Sequence, residues 1–71
     1  MELTINGQPR SFAAMDAGAT VQDLLTELGL KQDRVAVEQN GEIVPRSSWD
    51  GAGVAEGDRF EIVHFVGGGS L

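Results

Sequence analysis

The dipeptide Asn-Gly occurs twice, at positions 6–7 and 40–41, and each copy lies between short segments of strand character. Asn and Gly tolerate positive φ better than any other pair, and a two-residue type I′ turn needs positive φ at both central positions. Each copy therefore predicts a tight β-hairpin. In the first, Met1–Asn6 alternates so that Leu3 and Ile5 share one face and Glu2 and Thr4 the other, and Gln8–Ala13 returns antiparallel. In the second, Val35–Gln39 is reversed into Glu42–Val44 before Pro45 ends the ladder, since proline has no N–H to donate.

Between the hairpins the period changes. Val21, Leu24, Leu25 and Leu28 recur at helical spacing while Gln22, Asp23, Thr26 and Glu27 face outward, which predicts a helix over Val21–Leu28. Thr20 is placed to cap its first turn, Asp23 suits the positive end of the helix dipole, and Gly29 supplies a left-handed C-terminal cap. Arg46–Gly57 reads as loop with one helical turn around Ser47–Asp50, and Trp49 as a packing anchor. The longest apolar run, Asp58–Val66, predicts the last strand, with Phe60 and Ile62 on one face and Val63 and Phe65 on the other. A strand apolar on both sides is central in its sheet. One face would pack on the helix; the other, only partly covered in so small a domain, is a candidate docking patch.

Hairpin, helix, hairpin and long final strand are most economically buried as an α+β fold, with a mixed sheet of four to five strands packed on one main helix. This is the β-grasp, or ubiquitin-like, arrangement, expected over residues 1–66 with a flexible glycine-rich tail over 67–71.

Composition narrows the function classes. Seventy-one residues without cysteine leave little surface for both a core and a deep substrate pocket, so the chain is not expected to be an enzyme. Five Lys+Arg against eleven Asp+Glu give a net charge of −6, which repels phosphate backbones and anionic lipid. Nucleic acid and membrane are therefore not expected partners. The acidic surface reads either as ordinary solvation or as the complement of a basic groove on a partner. Without a signal segment or membrane span, the expected location is cytoplasmic.

Few residues suit catalysis. His64 is the only histidine, and without cysteine or a second histidine it predicts no metal site. Asp58 and Glu61 fall on opposite faces of a strand, so they are not a paired acid and base. Asp58 instead shapes the turn begun by Gly57, or with Arg59 offers charge to a partner. Arg46 presents a fork of donors suited to tying down its loop. Ser47 and Ser48 lack a neighbouring base.

The chemistry is expected in the tail, Val66-Gly67-Gly68-Gly69-Ser70-Leu71. A glycine backbone without Cβ can lie extended in a tunnel too narrow for side chains and deliver a carboxylate to an activating enzyme. As a bare string, the same residues also serve as a flexible linker.

Three segments stand out together: Val37-Glu38-Gln39-Asn40-Gly41-Glu42-Ile43-Val44-Pro45-Arg46 followed by Trp49, Glu56-Gly57-Asp58-Arg59-Phe60-Glu61-Ile62-Val63, and Phe65-Val66-Gly67-Gly68-Gly69. In combination they resemble the ThiS sulfur carriers of thiamin thiazole biosynthesis. The resemblance implies that an E1-like adenylyltransferase, ThiF, activates the carboxylate of Gly69 with ATP and Mg, the carrier itself binding no cofactor. Sulfur from a cysteine desulfurase then makes a thiocarboxylate, which the thiazole synthase ThiG consumes. Gly67 and Gly68 would be the thin neck, and Val63, Phe65, Val66, Arg46 and Asp58 partner contacts. Members of the family usually end at the glycines, whereas Ser70 and Leu71 follow here. That implies either a C-terminal peptidase that removes them or two residues foreign to the working protein. A molybdopterin-type sulfur donor, a ubiquitin-like modifier and a plain β-grasp interaction module share this outline, though the Val-Pro-Arg segment with its Trp favours the thiazole branch.

Overall fold

The computed structural model describes residues 1–65. In chain order these form β1 (Glu2–Ile5), β2 (Gln8–Ser11), α1 (Val21–Leu28), β3 (Val35–Gln39), β4 (Glu42–Val44) and β5 (Arg59–His64), with single 3₁₀ turns at Gln32–Arg34 and Arg46–Ser48. The five strands lie in the order β2-β1-β5-β3-β4, so the last strand in the chain is the middle strand of the sheet. β5 runs parallel to β1 and antiparallel to β3, and both hairpins are antiparallel. One helix on such a mixed sheet is the β-grasp architecture.

Local chemistry accounts for most boundaries. Asn6 and Asn40 have φ of 50° and 52°, and the glycines after them 82° and 87°, as type I′ turns require. At the start of α1 the Thr20 hydroxyl accepts from the Asp23 N–H (3.2 Å), and the Asp23 carboxylate accepts from the Thr20 N–H (2.9 Å). This reciprocal box satisfies two of the N–H groups a helix start leaves unpaired. Gly29 ends the helix at φ 70°, and its N–H donates to the carbonyls of Leu25 and Thr26.

The core lies between α1 and one face of the sheet. Leu3 and Ile5 from β1, Val35 and Val37 from β3, and Phe60 and Ile62 from β5 meet Val21, Leu24 and Leu25, which are completely buried. Trp49 is buried beside them, and its indole N–H donates to the Val44 carbonyl (2.9 Å), so it both fills the core and ties its loop to β4.

Three expectations change. β2 stops at Ser11 rather than Ala13; beyond it Phe12 exchanges two hydrogen bonds with Met1 and turns its side chain into the core. β5 spans Arg59–His64 rather than beginning at Asp58, which belongs to the preceding turn; Phe65 lies just past the strand, and Val66, its expected end, lies outside the described residues. The turn expected at Ser47–Asp50 starts one residue earlier, at Arg46.

Candidate functional site

β5 carries two different surfaces on alternate residues. Phe60 and Ile62 point to the helix and are 1% and 6% exposed, while Val63 and, just past the strand, Phe65 stay 58% and 52% exposed. Register places Val63 opposite Ala36 and Glu61 opposite Glu38, and Glu38 in turn opposite Ile43 of β4. Ile43 is 66% exposed. The open face of the sheet thus carries apolar side chains from adjacent strands with two carboxylates set directly across from each other among them. Like charges opposed in this way weaken a sheet. Neither Ile43 nor the Glu38–Glu61 pair stood out in the sequence. The alternation of Glu42-Ile43-Val44 carries the signal for Ile43, but only once the hairpin register is fixed.

The far end of β5 is anchored at Phe65. The Phe65 N–H donates to the Arg34 carbonyl (2.7 Å) at the end of the first 3₁₀ turn. Val66, Gly67, Gly68, Gly69, Ser70 and Leu71, on which the expected carrier chemistry falls, lie outside the described residues. The structure therefore fixes the root of the tail, on the edge of the open apolar face.

Two asparagines hold β5 in place. The Asn6 N–H donates to the Phe60 carbonyl (2.8 Å), and its side-chain amide continues the ladder: Oδ1 accepts from the Ile62 N–H (2.7 Å) and Nδ2 donates to the Ile62 carbonyl (3.2 Å). Asn40 does the corresponding work from the other hairpin. Its N–H donates to the Arg59 carbonyl (2.7 Å), its Oδ1 accepts from the Arg59 N–H (3.0 Å), and its Nδ2 donates to Asp58 (3.0 Å).

Asp58 is the hub of the second clamp. Besides Asn40, its carboxylate accepts from the Gln39 amide (2.9 Å) and the Ala55 N–H (2.8 Å). Desolvation pushes its carboxyl upward, but the bonds from Asn40, Ala55 and Gln39 outweigh that and hold it below its ordinary value. The residue shapes the turn as its sequence position suggests, and its oxygens are already engaged within the chain. Arg46 lies exposed in the second 3₁₀ turn. Among the described residues its guanidinium makes no hydrogen bond, and the tie expected of it is supplied by Trp49.

His64 borders a small cavity of ≈ 150 Å³ with Arg10, Leu28 and Leu30. Among the described residues no three His, Cys, Asp or Glu side chains are grouped to hold a metal ion. No helix there is long and apolar enough to cross a membrane.

Residues 3–69 match the ThiS family. The chain belongs to the ThiS family. It is 40% identical over 67 residues to the sulfur carrier protein ThiS of Bacillus subtilis, covering 94% of this chain and 98% of that one. Its fold matches the crystal structure of the thiamine biosynthesis protein ThiS from Geobacter metallireducens with a TM-score of 0.82 and 38% identity, covering 97% of this chain and 100% of that one. It is also 53% identical over 70 residues to a thiazole synthase of Paramagnetospirillum magneticum, covering 99% of this chain and 21% of the relative. A ThiS-family domain thus spans about a fifth of that longer protein's length.

Proposed function

We propose that this chain is a sulfur carrier for thiazole formation in thiamin biosynthesis, acting as a protein co-substrate rather than a catalyst. The observation that carries the reading is the 53% identity to about a fifth of the length of a chain called thiazole synthase, which we read as a carrier-type domain joined covalently to a synthase. Carrier and consumer then work on one another either within one chain or as separate chains. The open face supports this. Its apolar side chains Val63 and Phe65 lie at the root of the glycine tail, with Ile43 two strands away on the same sheet, and the Glu38–Glu61 pair between suits a partner surface that is apolar with a basic group.

The reaction needs no catalytic group on this chain. The Gly69 carboxylate attacks the α-phosphorus of ATP, with Mg, in an E1-like adenylyltransferase, and pyrophosphate leaves. A persulfide formed with a cysteine desulfurase displaces AMP to give an acyl disulfide, and a thiol reductant cleaves its S–S bond, leaving a thiocarboxylate while the reductant is oxidised to a disulfide. Gly67 and Gly68 supply the narrow neck that lets the terminus reach both active sites. Ser70 and Leu71 would have to be removed, by a peptidase, before Gly69 could react.

The test is the intact mass of two versions, one ending at Gly69 and one at Leu71, after incubation with activating enzyme, ATP and a sulfur source. The expected result is exchange of one oxygen for sulfur in the version ending at Gly69, and in the longer one only after loss of the dipeptide. Absence of exchange in the version ending at Gly69 would overturn the proposal.

A further inference from the structure

The two Asn-Gly turns are alike in backbone conformation and unlike in what their side-chain amides face. Asn6 is bonded to the backbone of Ile62, whereas Asn40 donates to the carboxylate of Asp58 at 3.0 Å. Asparagine followed by glycine is the pair most open to intramolecular attack, because glycine has no side chain to hinder its own N–H. The Gly41 nitrogen attacks Cγ of Asn40, a C–N bond closes a succinimide, and ammonia leaves. Water then opens the ring at either carbonyl, giving aspartate or isoaspartate. The net change is one amide and one water converted to one acid and one ammonia.

From this geometry we infer that Asn40 is a self-modification site whose product releases the β3–β4 hairpin from the turn that begins β5. While the fold is closed, both ends of the Asn40 amide are held, by Arg59 N–H and by Asp58, and Cγ is withheld from the Gly41 nitrogen. Reaction therefore proceeds through local opening of the turn. Once it has occurred, the Asn40–Asp58 hydrogen bond is replaced by two facing carboxylates, and the turn does not reclose as before. The other charged side chains within two residues of Asn40 or Asp58 are Glu38, Glu42, Glu56 and Arg59, of which all but the half-buried Glu38 are exposed, so water and salt reach the new pair. Asn6 is the internal comparison: the same reaction there sets a carboxylate against the Ile62 carbonyl, a lost hydrogen bond without a second carboxylate, and Arg10, which lines the cavity beside it, is a cation.

The experiment ages the full chain at mildly alkaline pH, folded and in urea, and follows amide-to-acid conversion at each turn by peptide mass mapping. Conversion at Asn40 is expected to be slower in the folded chain by about tenfold or more. In parallel, Asn40→Asp and Asn40→Gly are melted at low and high salt. Asn40→Gly keeps the positive φ and removes the amide without adding charge. Asn40→Asp is expected to melt below Asn40→Gly at low salt, and the gap to close at about 1 M salt, where the screening length falls to about 3 Å. Asn6→Asp is expected to lose melting temperature with no such salt response. Equal conversion rates in folded and unfolded chain, an Asn40→Asp chain as stable as Asn40→Gly at low salt, or the same salt response from Asn6→Asp would each overturn the inference.

Discussion

The two faces of the sheet obey opposite rules although the same strands build both. On the helix side, Leu3, Ile5, Val37, Phe60 and Ile62 are nearly all removed from water; on the open side, Val63, Phe65 and Ile43 are half or more exposed, and Glu38 sits across from Glu61. The first arrangement is what stability alone would select. The second costs stability on both counts, in exposed apolar area and in like-charge contact. On the function proposed above, one face serves the fold and the other recognition, and β5 joins them to the root of the tail.

The sharpest way to break this comparison is Phe60→Ala. Phe60 is 1% exposed at the centre of the sheet, and its truncation is expected to cost about 3–5 kcal/mol, enough to unfold a domain this small. Denaturant unfolding measures it; a loss below about 1 kcal/mol would mean that the helix-side face is not the core.

Next comes the clamp on β5. Asn6→Ala removes two hydrogen bonds to Ile62 and puts a residue without asparagine's tolerance of the left-handed region at φ 50°, for an expected loss of about 2 kcal/mol. Asn6→Gly keeps the turn conformation and should recover about half of that. If both variants were equally destabilised, turn conformation would contribute nothing and the amide everything.

Asp58→Asn has a smaller effect, about 1 kcal/mol, because the site is largely open to solvent. The sign with pH follows from the lowered carboxyl. Its stabilisation is fully present above the ordinary value of 3.8 and is lost as pH falls through the lower folded value. Parent and Asp58→Asn unfolding curves should therefore differ at neutral pH and converge in acid; a difference that persists in strong acid would contradict the hydrogen-bond account.

Much of this was legible in the residues. The Asn-Gly pairs, the Thr20–Asp23 spacing and the apolar run of β5 set both hairpins, the helix and the central strand, because each is a local pattern with a local cause. Trp49 was legible as an anchor, though its partner Val44 was not. The clamps escaped because their partners are distant: Asn6 meets Ile62, 56 residues on. The short 3₁₀ turn at Gln32–Arg34 is below the length at which periodicity speaks. The open face needed the register, since Ile43, Glu38 and Glu61 become neighbours only when β4, β3 and β5 are aligned. The glycines Gly67–Gly69 were conspicuous from the start, and the structure contributes the fixed position of the strand behind them.

The smallest stability effect belongs to the open face and carries the most functional weight. Val63→Ser with Phe65→Ser removes side chains that are more than half exposed, so the unfolding free energy should move by no more than about 0.5 kcal/mol. Binding of this double variant to the thiazole synthase, titrated beside its unfolding curve, separates the two faces directly. Unchanged stability with binding weakened by about tenfold or more is the predicted result. Binding equal to that of the parent chain, or a loss of binding matched by a loss of folding, would contradict the assignment of recognition to the open face.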